Sequence, residues 1–168
     1  MFNIQFLMRQ VILIAGLVLL SGFVFSQEVK GVKITDLEKI IAESKTPLII
    51  NMWATWCMPC IEEIPYFLEE VKDNRKDSLT ILLVSLDFKE AFPKGISSFA
   101  KKRKFDAPIV WLDETNADYF CPKIDTKWSG AIPATLFINN KTGYRNFVEE
   151  QISHEKLKKE IMAMLKKR

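Results

Sequence analysis

The sequence predicts an α/β fold in which a central mixed β-sheet carries helices on both faces. Leu48–Trp53, interrupted only by Asn51, and Leu79–Leu86 are apolar, β-favouring runs of strand length, the pattern of strands buried on both faces of a parallel sheet. Between them Ile61, Ile64, Phe67, Leu68 and Val71 recur at helical spacing, so Leu48 to Leu86 reads as a β-α-β unit. Farther on, Ala134–Ile138 and Tyr144–Glu149 flank the turn-rich spacer Asn139-Asn140-Lys141-Thr142-Gly143, which predicts an antiparallel hairpin. Parallel and antiparallel pairing in one sheet, with helices between and after the strands, gives the mixed, two-sided architecture.

The elements follow in chain order. Met1 to Gln10 carries one charge, Arg9; Val11 to Leu20 has no polar side chain, and small residues lead to Ser26. That layout is a secretory signal, with Val24 and Ser26 at the two recognition positions of a cut after Ser26. The 15 residues from Val11 to Phe25 are short for a bilayer span of ~20, but an uncleaved anchor borrowing Phe2 to Met8 is the alternative. Residues 1–26 are therefore read as a signal peptide or N-terminal anchor, and 27–168 as one domain outside the cytoplasm, in the periplasm or its equivalent. No cysteine follows the apolar run closely, so the thiol for a lipoprotein anchor is missing.

A first helix is predicted from Val32, with Thr35 as N-cap, Glu38 completing a capping box, and Leu37, Ile40 and Ile41 as its apolar stripe. Pro47 ends that region before the strand Leu48–Trp53. The next helix runs from about Cys57 to Lys72 and contains Pro65, which is expected to kink it. After the strand Leu79–Leu86 come a helix over Ile96–Lys104, a short strand Ile109–Leu112 and a helical turn over Asn116–Cys121 ending near Pro122. Ser153 caps a last helix that places Leu157, Ile161, Met164 and Leu165 on one face, with Lys166, Lys167 and Arg168 at the negative end of its dipole.

Composition narrows the function classes. With 168 residues, 48% hydrophobic and 27% charged, the chain can bury a hydrophobic core, and its three cysteines are too few for a disulfide-stapled scaffold. Removing residues 1–26 takes away Arg9 and no acid, leaving a net charge of +2. That near-balance argues against a nucleic-acid partner, and the run Lys101-Lys102-Arg103-Lys104 reads as a solvated helix face.

The chemistry concentrates at Cys57 and Cys60. Their spacing at a strand-to-helix junction places Cys57 at the helix N-terminus, where unpaired N–H groups and the helix dipole stabilise a thiolate. Such settings lower a cysteine pKa from about 8.5 to about 3.5–7.5, which makes Cys57 the nucleophile. Cys60, one turn further in, can resolve the mixed disulfide that forms. A zinc half-site, or simply two buried thiols, is the alternative reading of the pair; for zinc, the donors left, Cys121 and His154, lack paired spacing, and His154 is expected to be solvent-exposed. No metal or other cofactor is expected.

The run Asn51-Met52-Trp53-Ala54-Thr55-Trp56-Cys57-Met58-Pro59-Cys60, followed by Ile61-Glu62-Glu63-Ile64-Pro65, resembles the ResA/TlpA group of bacterial thioredoxin-like proteins. The resemblance continues at Gly130-Ala131-Ile132-Pro133-Ala134-Thr135-Leu136-Phe137-Ile138 and so covers roughly Pro47 to the C-terminus. It implies a thioredoxin fold and a cis peptide bond before Pro133, in a loop that lies against the cysteines and pairs with an extended partner chain. Without the motif a trans bond is the better guess, and Pro133 is equally compatible with an edge or turn position. Ordinary thioredoxin has a buried aspartate where this chain has Asn51. The resemblance hands its proton-handling role to Glu63, whereas the plainer reading makes Glu63 a surface acid. Trp56, Met58, Pro59 and Ile132 are the residues expected to meet the partner, with Trp53, Trp111 and Trp128 as packing residues and Cys121 as a buried thiol.

The resemblance also implies the activity: an exported thiol–disulfide oxidoreductase, chiefly a reductant of exported proteins such as apocytochrome c, recharged by a transmembrane electron donor. A thioredoxin-fold metallochaperone and a non-catalytic binding domain are the alternatives, and the membrane is a partner only if residues 1–26 stay attached.

Overall fold

The computed structural model describes residues 29–166. The signal segment or anchor read at residues 1–26, and the last two basic residues, lie outside the described residues. Six strands form one sheet: β1 (Lys30–Val32), β2 (Leu48–Trp53), β3 (Thr80–Ser85), β4 (Ile109–Leu112), β5 (Ala134–Asn139) and β6 (Tyr144–Val148). Their order across it is β1-β4-β3-β2-β5-β6. β1, β4, β3 and β2 pair in parallel, β5 runs antiparallel to β2, and β6 antiparallel to β5. The sheet is mixed, as the sequence predicts.

Among the described residues five α-helices cover it: α1 (Ile34–Glu43), α2 (Met58–Asp73), α3 (Lys94–Arg103), α4 (Ala117–Ile124) and α5 (His154–Leu165). β2 is buried at all six positions, and its side chains alternate between two cores. Ile49 and Trp53 join residues of α2, α3 and α5, whereas Leu48, Ile50 and Met52 join residues of α1 and α4. Burying one large apolar side chain contributes about 1.5–3 kcal/mol, so a central strand buried on both sides anchors both layers at once. Among the described residues no helix is long and apolar enough to cross a membrane.

Several expectations need correction. α1 starts at Ile34, with Lys33 rather than Thr35 at its N-cap, and the reciprocal bond comes from Asp36, whose Oδ2 accepts the Lys33 backbone N–H at 3.0 Å. The entry is set by tertiary contacts: the Ile34 N–H donates to Glu114 at 2.9 Å, and Ile34 is buried where Ile40 is 37% exposed. α4 continues through Pro122 to Ile124. Its buried Phe120, Cys121 and Ile124 offset the hydrogen bond that proline cannot donate. β1, three residues at the sheet edge, was not predicted; so short a strand carries no readable alternation. The last helix and its cap agree with expectation: the Lys156 N–H donates to Ser153 Oγ at 3.3 Å.

Candidate active site

Beyond Trp53 the chain turns sharply. The Cys57 N–H donates to the Ala54 carbonyl at 3.1 Å, and the Cys57 carbonyl accepts from Ile61 at 3.1 Å, which makes Cys57 the N-cap of α2. Pro59 sits in the first helical turn, where its missing N–H costs nothing. Cys57 and Cys60 are joined by a disulfide with their Cα atoms 5.3 Å apart. Cys57 keeps 5% exposure and Cys60 none, so of the pair only Cys57 reaches the surface of the site. Around it Trp56 and Met58 are each 56% exposed, and Pro59 is exposed as well.

The turn is fixed by a residue the sequence reading missed. Buried Asp87, just past β3, accepts the Thr55 N–H at 3.1 Å, the Thr55 hydroxyl at 2.6 Å and the Ser85 hydroxyl at 2.8 Å. Its backbone carbonyl accepts from Trp111 Nε1 at 2.7 Å, so Trp111 also supports the site rather than only filling core. The readable signal was position: an acid at the C-terminal end of the parallel strand beside β2, where open α/β sheets place functional loops. Next to it Phe88, 72% exposed, stacks on Trp56 with ring centroids 6.2 Å apart.

Glu63 has no solvent exposure. Its Oε1 accepts from Asn51 Nδ2 at 2.9 Å and its Oε2 from the Ile152 backbone N–H at 2.8 Å, while Asn51 Nδ2 also donates to Thr135 Oγ1 at 3.0 Å. Burial pushes the Glu63 carboxyl up to about 7, against the two hydrogen bonds that favour its charged form. The plainer reading of Glu63 as a surface acid therefore fails. The helix turns this side chain inward three residues after Cys60, and Asn51, which cannot titrate, meets it from β2.

The second half of the site is the loop entering β5. The Ile132–Pro133 bond is cis, Pro133 is buried and Ile132 half-buried, and Ile132 packs against the core cluster that holds both cysteines. Trp128 Nε1 donates to the Ala131 carbonyl at 2.9 Å, tying this tryptophan to the loop. Cys121 lies in the core on the opposite face of the sheet, and burial, with Glu149 and Asp118 adding to it, pushes its thiol up to about 11. His154 is not the exposed residue expected: it is half-buried at the start of α5, with Nε2 2.8 Å from Glu70 Oε1 and its ring stacked on Tyr66 at 4.9 Å. Its partners are these groups of α2 and not the cysteines.

Comparison with known proteins agrees with this geometry. The AhpC/TSA family model matches residues 24–143. The thiol-disulfide oxidoreductase ResA of Bacillus cereus is 28% identical over 145 residues, spanning 84% of this chain and 76% of that protein. The thioredoxin-like protein YneN of Bacillus subtilis is 34% identical over 74 residues, and the chain spans only 42% of its length. Among solved structures, a thioredoxin-related protein from Neisseria meningitidis superposes with a TM-score of 0.62 at 26% identity, covering 74% of this chain and 89% of that one. StoA from Bacillus subtilis gives 0.55 at 24%, covering 72% and 86%. Sequence and architecture together make this chain a member of the AhpC/TSA family, built on the thioredoxin fold around a disulfide-forming Cys57–Cys60 pair.

Proposed function

We propose that this protein is a thiol–disulfide oxidoreductase that works outside the cytoplasm and reduces disulfides in exported polypeptides, apocytochrome c being one substrate of that kind. The observation that carries the reading is the Cys57–Cys60 disulfide at the start of α2 with a buried carboxyl, Glu63, one turn beyond it. The Bacillus cereus relative ResA, named a thiol-disulfide oxidoreductase, supports it.

In the reduced enzyme the Cys57 thiolate attacks one sulfur of the substrate disulfide. That bond breaks, a mixed disulfide forms, and the departing substrate thiolate takes a proton. Glu63, ionised, accepts the Cys60 proton. The Cys60 thiolate then attacks the Cys57 sulfur, the Cys57–substrate bond breaks, and the second substrate thiolate leaves and takes back the proton from Glu63, which forms the Cys57–Cys60 bond seen in the structure. Two electrons pass to the substrate, and the enzyme is left oxidised. A carboxyl with a pKa of about 7 is suited to this exchange, because it gives and takes a proton near neutral pH. Trp56, Met58, Pro59 and the Ile132–Pro133 loop form the surface on which the extended substrate lies. Residues 1–26 export the domain, and a transmembrane donor returns the electrons.

The test is reduction of insulin disulfides followed by a redox titration of the Cys57–Cys60 pair against glutathione. Turnover with a potential near about −270 mV supports a reductant, whereas a value near about −120 mV assigns it to oxidation. A protein without turnover is a binding domain.

A further inference from the structure

The loop that carries Ile132 and Pro133 is held at one point by a carboxylate outside every motif of the sequence. Glu149 follows β6, and the antiparallel register, which pairs Thr135 with Val148, brings it beside the entry to β5. Its Oε1 accepts the Ser129 N–H at 3.0 Å, the Ala131 N–H at 3.0 Å and the Ser129 hydroxyl; Oε2 lies 3.2 Å from the Ser129 nitrogen. Two backbone amides and a hydroxyl, from Ser129 and Ala131, thus converge on one side chain.

Between those two amides stands Gly130, at φ +96°, a conformation that suits glycine. A Cβ there would come within 3.6 Å of Cys121 Sγ and 3.9 Å of Ala117 Cβ, so α4 supports the loop from below. Trp128 Nε1 holds the Ala131 carbonyl from the other end. The stretch from Trp128 to Ala131 is therefore fixed on three sides, and Ile132 is the first residue after it.

We propose that Glu149 is the positioning residue of the Ile132–Pro133 loop, setting the geometry in which that loop receives an extended substrate chain. The inference rests on the oxidoreductase reading above and adds the group that preorganises its substrate surface. The hydrogen bonds from Ser129 and Ala131 favour the ionised carboxylate and hold its pKa below the usual carboxylate range against the opposing effect of burial. Its charge, together with that of Asp118 on α4, helps to keep the buried Cys121 thiol protonated. The hydrogen bonds of Glu149 go to Ser129 and Ala131 and not to the redox pair, so Glu149 acts on substrate binding and not on thiol chemistry.

The test is steady-state insulin reduction by Glu149→Ala, Glu149→Gln and Ser129→Ala, alongside the rate of Cys57 alkylation in each reduced protein. Glu149→Ala is expected to raise KM about tenfold, the equivalent of one charge-assisted hydrogen bond. Its kcat and alkylation rate stay within twofold of the parent. Glu149→Gln keeps one acceptor and lies between, and Ser129→Ala, at an exposed position, reports on the same tether even if Glu149→Ala fails to fold. An unchanged KM in Glu149→Gln and Ser129→Ala overturns the proposal. So does a KM rise matched by a slower Cys57 alkylation, which marks a general loss of structure. A parent protein that does not reduce insulin refutes the oxidoreductase reading instead.

Discussion

The two faces of the sheet are built by different rules. The face under α1 and α4 is apolar throughout: Ile34, Leu37, Ile50, Met52, Val84, Leu136 and their neighbours are buried with no buried charged residue among them. The face under α2, α3 and α5 shares its core with Asn51, Glu63, Glu70, Ser85, Thr135 and Asn139, all buried. Alternation along the strands sorts them: Asn51 lies between Ile49 and Trp53 in side-chain direction, and Thr135 and Asn139 flank Phe137. The buried polar atoms without a partner, Asn51 Oδ1, Trp53 Nε1 and Asn139 Oδ1, belong to this same face among the described residues. One layer supplies stability, and the other gives some of it up to hold a buried ionisable group one helical turn after Cys60.

Substitutions on the two faces should therefore fail differently. Leu37→Ala, at a fully buried position of the apolar face, is expected to cost about 2–5 kcal/mol in urea unfolding. The pH dependence of Cys57 alkylation should stay where it is in the parent. A shifted profile would mean that the apolar layer also tunes the thiols, and the contrast would be lost.

Glu63 gives a smaller effect with a pH signature. Its carboxyl is raised from 4.5 to about 7 in the folded protein, so folding holds a proton that the unfolded chain releases. The stability linked to that proton is complete below about 4.5 and is lost as pH rises through about 7, an upper bound of about 3 kcal/mol across the window. Unfolding of the oxidised protein by urea at several pH values should show this decline, and Glu63→Gln should flatten it. A parent curve as flat as that of the variant would contradict the burial of a titrating acid.

Much of this was legible beforehand, and the exceptions have physical causes. β2, β4, the β5–β6 hairpin and the Ser153 cap were readable because length, periodicity and turn chemistry are local signals. The Cys57–Cys60 pair was readable because its spacing sits on a strand-to-helix junction. Lys33 could not be identified as the α1 cap from local sequence, since Glu114, 80 residues away, takes part in that entry. Asp87 and Glu149 were missed for the same reason. Each is an ordinary acid at a strand end until the sheet register brings it to Thr55 or to Ser129 and Ala131.

The claim on which the rest depends is that α2 and Glu63 together set the reactivity of Cys57. Its most direct test is the rate of iodoacetamide labelling at Cys57 from pH 5 to 9 in the reduced parent, in Glu63→Gln and in a short peptide spanning residues 53–61. The account predicts that below pH 8 the folded parent labels faster than the peptide, with an inflection near pH 7 that disappears in Glu63→Gln. Parent and peptide titrating together near about pH 8.5, with no change in the variant, would contradict it.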